Sequence, residues 1–247
     1  ARLKAQGVRL LAEKVETQQQ FEACKQMQFD YFQGYFFAKP QLIQGKTLAA
    51  NKLTIVELLA AINDPDVALN KLSDLITRDV TLSHKLLKLA SHTTAKKLES
   101  IHQVVLMFGL NRLKSWMNLV AMTQMDDKPA ELMRTALIRA KFCEKVGQQS
   151  RDLTPEAYFT VGLFSVLDAM MDCDLATVVS ELNLDDAIAL ALLDYQGQVG
   201  LTLKSVIAME HCQVDFERPA GLSPRFLSEC YLEAMVYASQ VMALNEA

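Results

Sequence analysis

The stretch PEAYFTVGLFSVLDAMMD, from Pro155 to Asp172, is the one long helical pattern of the chain with almost nothing charged along its middle. Its apolar side chains cover too wide an arc for a surface helix, which confines them to one stripe. Thr154 offers an N-cap hydroxyl, and Pro155 suits the first helical position. Gly162 costs about 1 kcal/mol relative to alanine inside a helix. We therefore expect a central, buried helix with a close neighbour at Gly162.

The segments on both sides of this helix follow a helical period with one apolar face, so they should pack around it. Before it, periodic apolar residues predict helices near residues 53–62, 69–76, 82–89, 101–108, 111–122 and 129–146. After it, they predict helices near residues 175–182, 185–193, 201–211 and 224–245.

The character of the chain changes near residue 45. Upstream, Val8 to Ala12 is typical of a short strand, Thr17 to Met27 of a helix, and Tyr31 to Phe37 of an aromatic strand. The predicted fold is therefore mainly α, with a short β-α-β unit at residues 1–45 and a multi-helical domain at residues 46–247.

Composition narrows the functional classes. The 247 residues are 51% apolar, with no apolar run long enough to span a bilayer and no apolar signal-peptide region at the charged start. Five cysteines without a CxxC pair are typical of a reducing compartment. We therefore expect a cytoplasmic protein without membrane association. The net charge of −4 argues against general nucleic-acid binding.

Residues 8–40, with the segments AEKVET and QGYFFAKP, resemble the C-terminal end of an EAL domain, the barrel family that hydrolyses cyclic di-GMP. The resemblance implies that Glu13 and Glu16 stand at acidic active-site positions and Gln33 at the substrate-side glutamine. It also implies that the β-α-β unit is a remnant of a TIM-type barrel. The Glu-Ala-Leu signature and the catalytic lysine are not in this sequence, and Lys14 replaces the glycine usual between the two acids. We expect no catalysis from these vestigial positions.

Residues 52–245 resemble the HDOD domain, a helical relative of HD-type phosphohydrolases found in bacterial signalling proteins. The resemblance rests on LLAAINDPDVALNKLSDLITRDVTLSHKLLKLASHTT, residues 58–94, followed by IHQVVLMFGLNRLKSW, residues 101–116. It implies an HD-like fold for the helical domain.

The predicted helix from Pro155 to Asp172 also indicates whether the chain could be an HD-type hydrolase. In active HD hydrolases the segment similar to GLFSVLD carries an adjacent His-Asp pair that ligates metal, whereas this chain has Ser165-Val166. Valine cannot coordinate a metal ion, and no His-Asp dipeptide occurs in the sequence. The four histidines show no metal-ligand spacing, so we expect neither a metal nor another cofactor. Asp168 and Asp172 share a helix face at i, i+4 and could mimic an acidic pair in the pocket of the former active site, or simply form a hydrogen-bonded helix end.

These observations favour a non-catalytic, regulatory protein-interaction module linked to cyclic di-GMP signalling. The expected partners are other signalling proteins and a second copy of the chain, which would pair through the open edges of the β-α-β unit. Two alternatives stay open: a nucleotide sensor that uses the vestigial pocket, and a metal-dependent phosphohydrolase. Trp116 beside Arg112 and Lys114 could be a binding hot spot, or a core residue.

Overall fold

The computed structural model describes residues 6–34, 50–94, 100–125, 128–213 and 215–246. The mainly α fold is confirmed: within these residues, helices account for nearly all the regular structure from Ala50 onwards. The predicted boundary near residue 45 lies outside the described residues.

The N-terminal unit has the predicted order of strand, helix and strand. It consists of β1 (Leu11–Ala12), α1 (Gln18–Gln26) and β2 (Tyr31–Phe32). The strands are parallel, with Leu11 opposite Tyr31 and Ala12 opposite Phe32. Thr17 starts α1 with a capping box, in which its side chain accepts from the Gln20 amide and the Gln20 side chain accepts from the Thr17 amide.

The strands are shorter than predicted. The first was expected from Val8 but begins at Leu11, and residues 35–37 of the second lie outside the described residues. Leu10 still contributes its carbonyl, which accepts from the Tyr31 amide at 3.0 Å. Val8 is 45% exposed, so the apolar side chain that suggested a strand start has little burial to hold it there.

The first half of the helical domain follows the predicted periodicity closely. Its helices are α2 (Ala50–Asn63), α3 (Leu69–Arg78), α4 (Val80–Thr93), α5 (Ile101–Phe108) and α6 (Leu110–Met122). Ser100 caps α5, and Gly109 separates α5 from α6 with a φ of 82°, which favours glycine.

The second half contains the predicted core helix. Its helices are α7 (Ala130–Gly147), α8 (Pro155–Phe164), α9 (Leu167–Met171), α10 (Leu175–Ser180), α11 (Asp186–Asp194), α12 (Gly197–Glu210) and α13 (Pro224–Glu246). Every residue of α8 from Tyr158 to Phe164 is buried. The prediction of a central helix is therefore confirmed, with α7 packed along α8 and α13 packed on α7.

At Gly162 the backbones of α8 and α7 come into close contact. A β-carbon on Gly162 would lie 2.4 Å from the carbonyl oxygen of Arg139. The close neighbour expected from the sequence is thus the backbone of α7.

The prediction of one continuous helix from Pro155 to Asp172 was wrong. The segment breaks at Ser165 and Val166, which separate α8 from α9. The Ser165 hydroxyl donates to the Gly162 carbonyl at 2.7 Å, and such local bonds compete with the helical ladder. Apolar periodicity continues across the break, so the pattern alone could not show it.

Among the described residues, no helix combines the length and apolar character that a membrane span requires.

Candidate functional site

Ser165 and Val166, which the resemblance to HD hydrolases aligns with their His-Asp pair, lie at the break between α8 and α9. Val166 is buried, with 4% of its surface exposed, and belongs to the hydrophobic core. The Ser165 hydroxyl accepts a hydrogen bond from Arg139 Nη1 at 3.2 Å. Ser165 therefore contacts a guanidinium group from α7.

Arg139 is held in place by Glu210, the last residue of α12. Its Nε lies 2.9 Å from Oε1 of Glu210, and its Nη2 lies 2.6 Å from Oε2. Only 9% of the Arg139 side chain and 17% of the Glu210 side chain are exposed. A two-point ion pair of this kind is strong and fixed in orientation. We call the group formed by Arg139, Ser165 and Glu210 the arginine centre.

The backbone explains why the guanidinium reaches Ser165. Gly162 lets α8 touch α7 at Arg139, and Ser165 lies three residues further along the chain. Residues three apart lie close to one face of a helix, so the close contact brings Ser165 next to the Arg139 side chain.

The arginine centre does not fit a divalent metal ion. Its hydroxyl ligand is already bound by a cation, and its carboxylate is neutralised by the same cation. A metal ion placed there would be repelled by the guanidinium, which stays charged in proteins. Within the described residues, no three His, Cys, Asp or Glu side chains are arranged to hold a metal ion.

Asp168 and Asp172 occupy different environments. Burial raises the pKa of Asp168, and the charge of Arg139 opposes that increase. Asp172 ends α9 in the left-handed conformation, with a φ of 53°. Its two carboxylate oxygens accept from Lys52 Nζ at 2.9 Å and from Lys128 Nζ at 2.5 Å. The hydrogen-bonded helix end, which the sequence left as one of two interpretations, describes Asp172.

Burial tends to raise the pKa of Asp172, but the bonds from Lys128 and Lys52 outweigh burial and hold that pKa below its ordinary value. Asp172 thus joins α2, α9 and the segment before α7 through two ion pairs. We call Lys52, Lys128 and Asp172 together the lysine clasp.

Glu13, Glu16 and Gln33, which the EAL resemblance aligns with active-site positions, lie near one edge of the small sheet. The Gln33 amide donates to the Ala12 carbonyl at 2.7 Å, and the Val15 amide donates to the Gln33 carbonyl at 3.0 Å. The backbones carrying Glu13, Glu16 and Gln33 therefore converge where both parallel strands end. All three side chains are exposed, and two exposed carboxylates alone do not form a complete metal site.

Lys14 lies between the two acids with a φ of 57°. This left-handed conformation costs a residue with a β-carbon about 1 to 2 kcal/mol. The residue that departs from the EAL pattern thus occupies a position where the backbone favours glycine.

The histidines form no cluster in the described structure. His84 lines a cavity of about 170 Å³ together with Lys85 and Lys88. His102 is exposed, His211 follows α12 as its C-cap, and the side chain of His92 lies outside the described residues.

Trp116 is a core residue. Only 4% of its surface is exposed, and its ring meets that of Phe108 edge to face at 4.9 Å between centroids. The interpretation of Trp116 as a surface hot spot was therefore wrong, because its side chain points inward from α6.

Sequence reasoning missed the ion pairs that define the site. Arg139 and Glu210 are 71 residues apart, and Lys52 and Asp172 are 120 residues apart. One signal was available: Arg139 interrupts the apolar run of α7, and a charge there needs a partner. Nothing in the sequence identifies which acid provides it.

Comparison with known proteins agrees with this architecture. The sequence model of the HDOD domain matches residues 48–200, and that of the EAL domain matches residues 1–40. The crystal structure of an HDOD domain protein from Geobacter sulfurreducens covers 82% of this chain and 89% of its own, with a TM-score of 0.50 and 15% identity.

Two curated proteins are similar in sequence. YuxH of Bacillus subtilis is 32% identical over 245 residues, which cover 96% of this chain and 60% of YuxH. The cyclic di-GMP phosphodiesterase CdgJ of Vibrio cholerae is 31% identical over 215 residues, which cover 84% of this chain and 49% of CdgJ. The chain thus spans about half to three fifths of the length of these relatives. Because the HDOD model matches more than half of its residues, the chain belongs to the HDOD domain family, with a partial EAL match before that domain.

Proposed function

We propose that this chain is a non-catalytic, regulatory protein-interaction module of a bacterial signalling protein linked to cyclic di-GMP. The arginine centre is the main support for this proposal. Where an HD hydrolase would need metal ligands, a buried guanidinium binds the serine hydroxyl and a carboxylate. That arrangement keeps the scaffold rigid but provides no group that could activate a water molecule.

The link to cyclic di-GMP is supported by the partial EAL match and by the similarity to CdgJ, which is named as a cyclic di-GMP phosphodiesterase. In this proposal, residues 1–45 are the C-terminal remnant of an EAL domain and residues 46–247 form the helical HDOD domain. Glu13, Glu16 and Gln33 keep their places at the strand ends but take no part in hydrolysis here.

The experiment is a hydrolysis assay on the purified chain with cyclic di-GMP and with bis-(p-nitrophenyl) phosphate, in Mg²⁺ and in Mn²⁺. We expect no turnover of either compound above the rate without protein. Turnover that disappears in Glu210→Gln would show that the arginine centre is catalytic and would overturn the proposal. Turnover that disappears in Glu13→Gln would instead place activity at the EAL-type residues.

A second copy of the chain is the partner that we propose for the N-terminal unit. In the described residues β1 and β2 pair only with each other, so each strand has an edge without a partner strand. Leu11 and Tyr31, which face each other in the register, are 45% and 48% exposed. Strand edges of this kind favour association.

Sedimentation equilibrium tests this proposal. We expect a dimer at micromolar concentration, which Leu11→Lys weakens and which Leu232→Lys, a change at an exposed apolar residue of α13, leaves intact. A monomeric wild-type chain, or a dimer unaffected by Leu11→Lys, would refute the role of the N-terminal unit.

A further inference from the structure

A polar cavity of about 320 Å³ lies at the end of α8 opposite the arginine centre. The walls come from the C-terminal end of α2, the first turns of α6, the start of α8 and the start of α11. They are formed by Asn63, Pro65, Asn111, Lys114, Ser115, Leu153, Thr154, Glu156, Ala157, Thr160, Leu184, Asp185 and Ile188. A volume at the lower end of the range for ligand pockets suits a small molecule.

Ser115 of α6 lies in the wall of the cavity. Its residue is 98% buried, since only 2% of its surface is exposed, and it lines the cavity. Asn111, one turn earlier on the same face of α6, also lines the cavity.

The charges around the cavity indicate the kind of ligand. Lys114 of α6 contributes one cation, which donates to the Asp64 carbonyl at 3.0 Å and interacts electrostatically with Asp185. Burial lowers the pKa of Lys114, so an additional anion beside it would be favourable. Asp185, at the start of α11, makes no side-chain capping bond.

The remaining lining charge is already paired. Oε1 of Glu156 lies 2.9 Å from Nη2 of Arg112. One cation and one carboxylate, Lys114 and Asp185, therefore stay available to a ligand. A ligand with several negative charges would meet both Asp185 and Glu156 and be repelled.

Besides the cation and the carboxylate, the cavity wall has an apolar part. Leu153, Leu184 and Ile188 are partly buried and pack against the hydrophobic core. Together they offer an apolar surface beside the polar groups.

We propose that this cavity binds a free α-amino acid with an apolar side chain. Its carboxylate lies toward Lys114 and the Ser115 hydroxyl, its ammonium group toward Asp185, and its side chain against Leu153, Leu184 and Ile188. The chain would then sense a zwitterionic metabolite at a site separate from the arginine centre. The proposal does not depend on whether the arginine centre is catalytic.

The test measures the melting temperature of the chain with each of the twenty standard amino acids at 10 mM, followed by calorimetric titration of the best one. Ligand binding to the folded state alone raises the melting temperature. We expect at least one apolar amino acid to raise it by 2 °C or more. Lys114→Met and Asp185→Asn should each weaken its affinity at least tenfold, and Ser115→Ala should weaken it several-fold.

Matched controls are Lys85→Met and Asp186→Asn, which remove the same charges outside this cavity and should leave the affinity unchanged. Circular dichroism of each variant without ligand checks that it folds. The proposal is overturned if no amino acid raises the melting temperature, or if Lys114→Met and Asp185→Asn bind as the wild type does. It is also overturned if cyclic di-GMP binds in this cavity and Asp185→Asn strengthens that binding.

Discussion

The buried guanidinium of Arg139 makes the stability of the arginine centre depend on its ion pair with Glu210. It is almost completely buried, donates a hydrogen bond to the Ser165 hydroxyl and forms an ion pair with Glu210. When one member of a buried ion pair is removed, the other charge is left in a medium that solvates it poorly. The centre should therefore tolerate loss of both charges better than loss of one.

Replacement of Arg139 by methionine tests this point. We expect Arg139→Met to lower the free energy of unfolding by about 3 to 5 kcal/mol, and the double variant Arg139→Met, Glu210→Met to recover most of that loss. Chemical denaturation provides both values. Arg134→Met on the same helix is the control, because its ion pair with Glu131 is exposed and should contribute less than about 1 kcal/mol. A loss below that amount for Arg139→Met would mean that the pair is solvated.

Lys14 gives a second prediction at the residue scale. Its left-handed backbone favours glycine, so Lys14→Gly should stabilise the β1 and β2 pairing by about 0.5 to 1 kcal/mol. Hydrogen exchange at the Val15 and Gln33 amides should then slow about two- to fivefold. Glu13→Gly is the control, because Glu13 has no positive φ and glycine there should speed exchange. Faster exchange in Lys14→Gly would show that the strain is absent.

The lysine clasp predicts a dependence on pH. Because the pKa of Asp172 is depressed in the folded state, the clasp stabilises the fold above the unfolded pKa of about 3.9 and loses this effect as pH falls through the folded pKa. The stability difference between wild type and Asp172→Asn should be constant above about pH 5 and shrink below pH 4. Urea denaturation from pH 3 to 8 measures it. Asp194→Asn, at an exposed position, should show no such change, and a pH-independent difference for Asp172→Asn would contradict the clasp.

At the scale of elements, the contact between α7 and α8 sets the geometry of the whole site. The sequence predicts α8 well because capping, proline position and burial all act within a few residues. It does not predict the break at Ser165, since that depends on the hydroxyl bonding back to Gly162. Gly162 itself signals a close approach, although only the structure shows that the neighbour is the Arg139 backbone.

Replacement of Gly162 by alanine separates helix propensity from packing. Propensity alone would stabilise the variant by about 1 kcal/mol. The new β-carbon would collide with the α7 backbone, so we expect a net loss of about 1 to 3 kcal/mol in the free energy of unfolding. Ala187→Gly at an exposed position of α11 measures the propensity term alone. A more stable Gly162→Ala would show that α7 and α8 are further apart than described.

At the scale of the whole molecule, the sequence pattern predicts the fold class and most helix positions. An apolar period of 3.6 residues is present in the sequence however the helices pack. The same pattern leaves the place of Trp116 open, because cations beside it in the sequence allow a surface position, whereas the structure buries it. The pattern fails for the arginine centre and the lysine clasp, whose partners come together only when α2, α7, α9 and α12 pack. The polar cavity beside Ser115 likewise exists only between helices that are distant in sequence.

We propose that the Arg139 guanidinium occupies the place where HD hydrolases bind a metal ion. Elemental analysis by mass spectrometry tests it most directly, on the chain incubated with Mn²⁺, Fe²⁺ and Zn²⁺ and then dialysed. We expect far less than one bound ion per chain, with no difference between wild type and Glu210→Gln. About one ion per chain in the wild type, lost in Glu210→Gln, would contradict it.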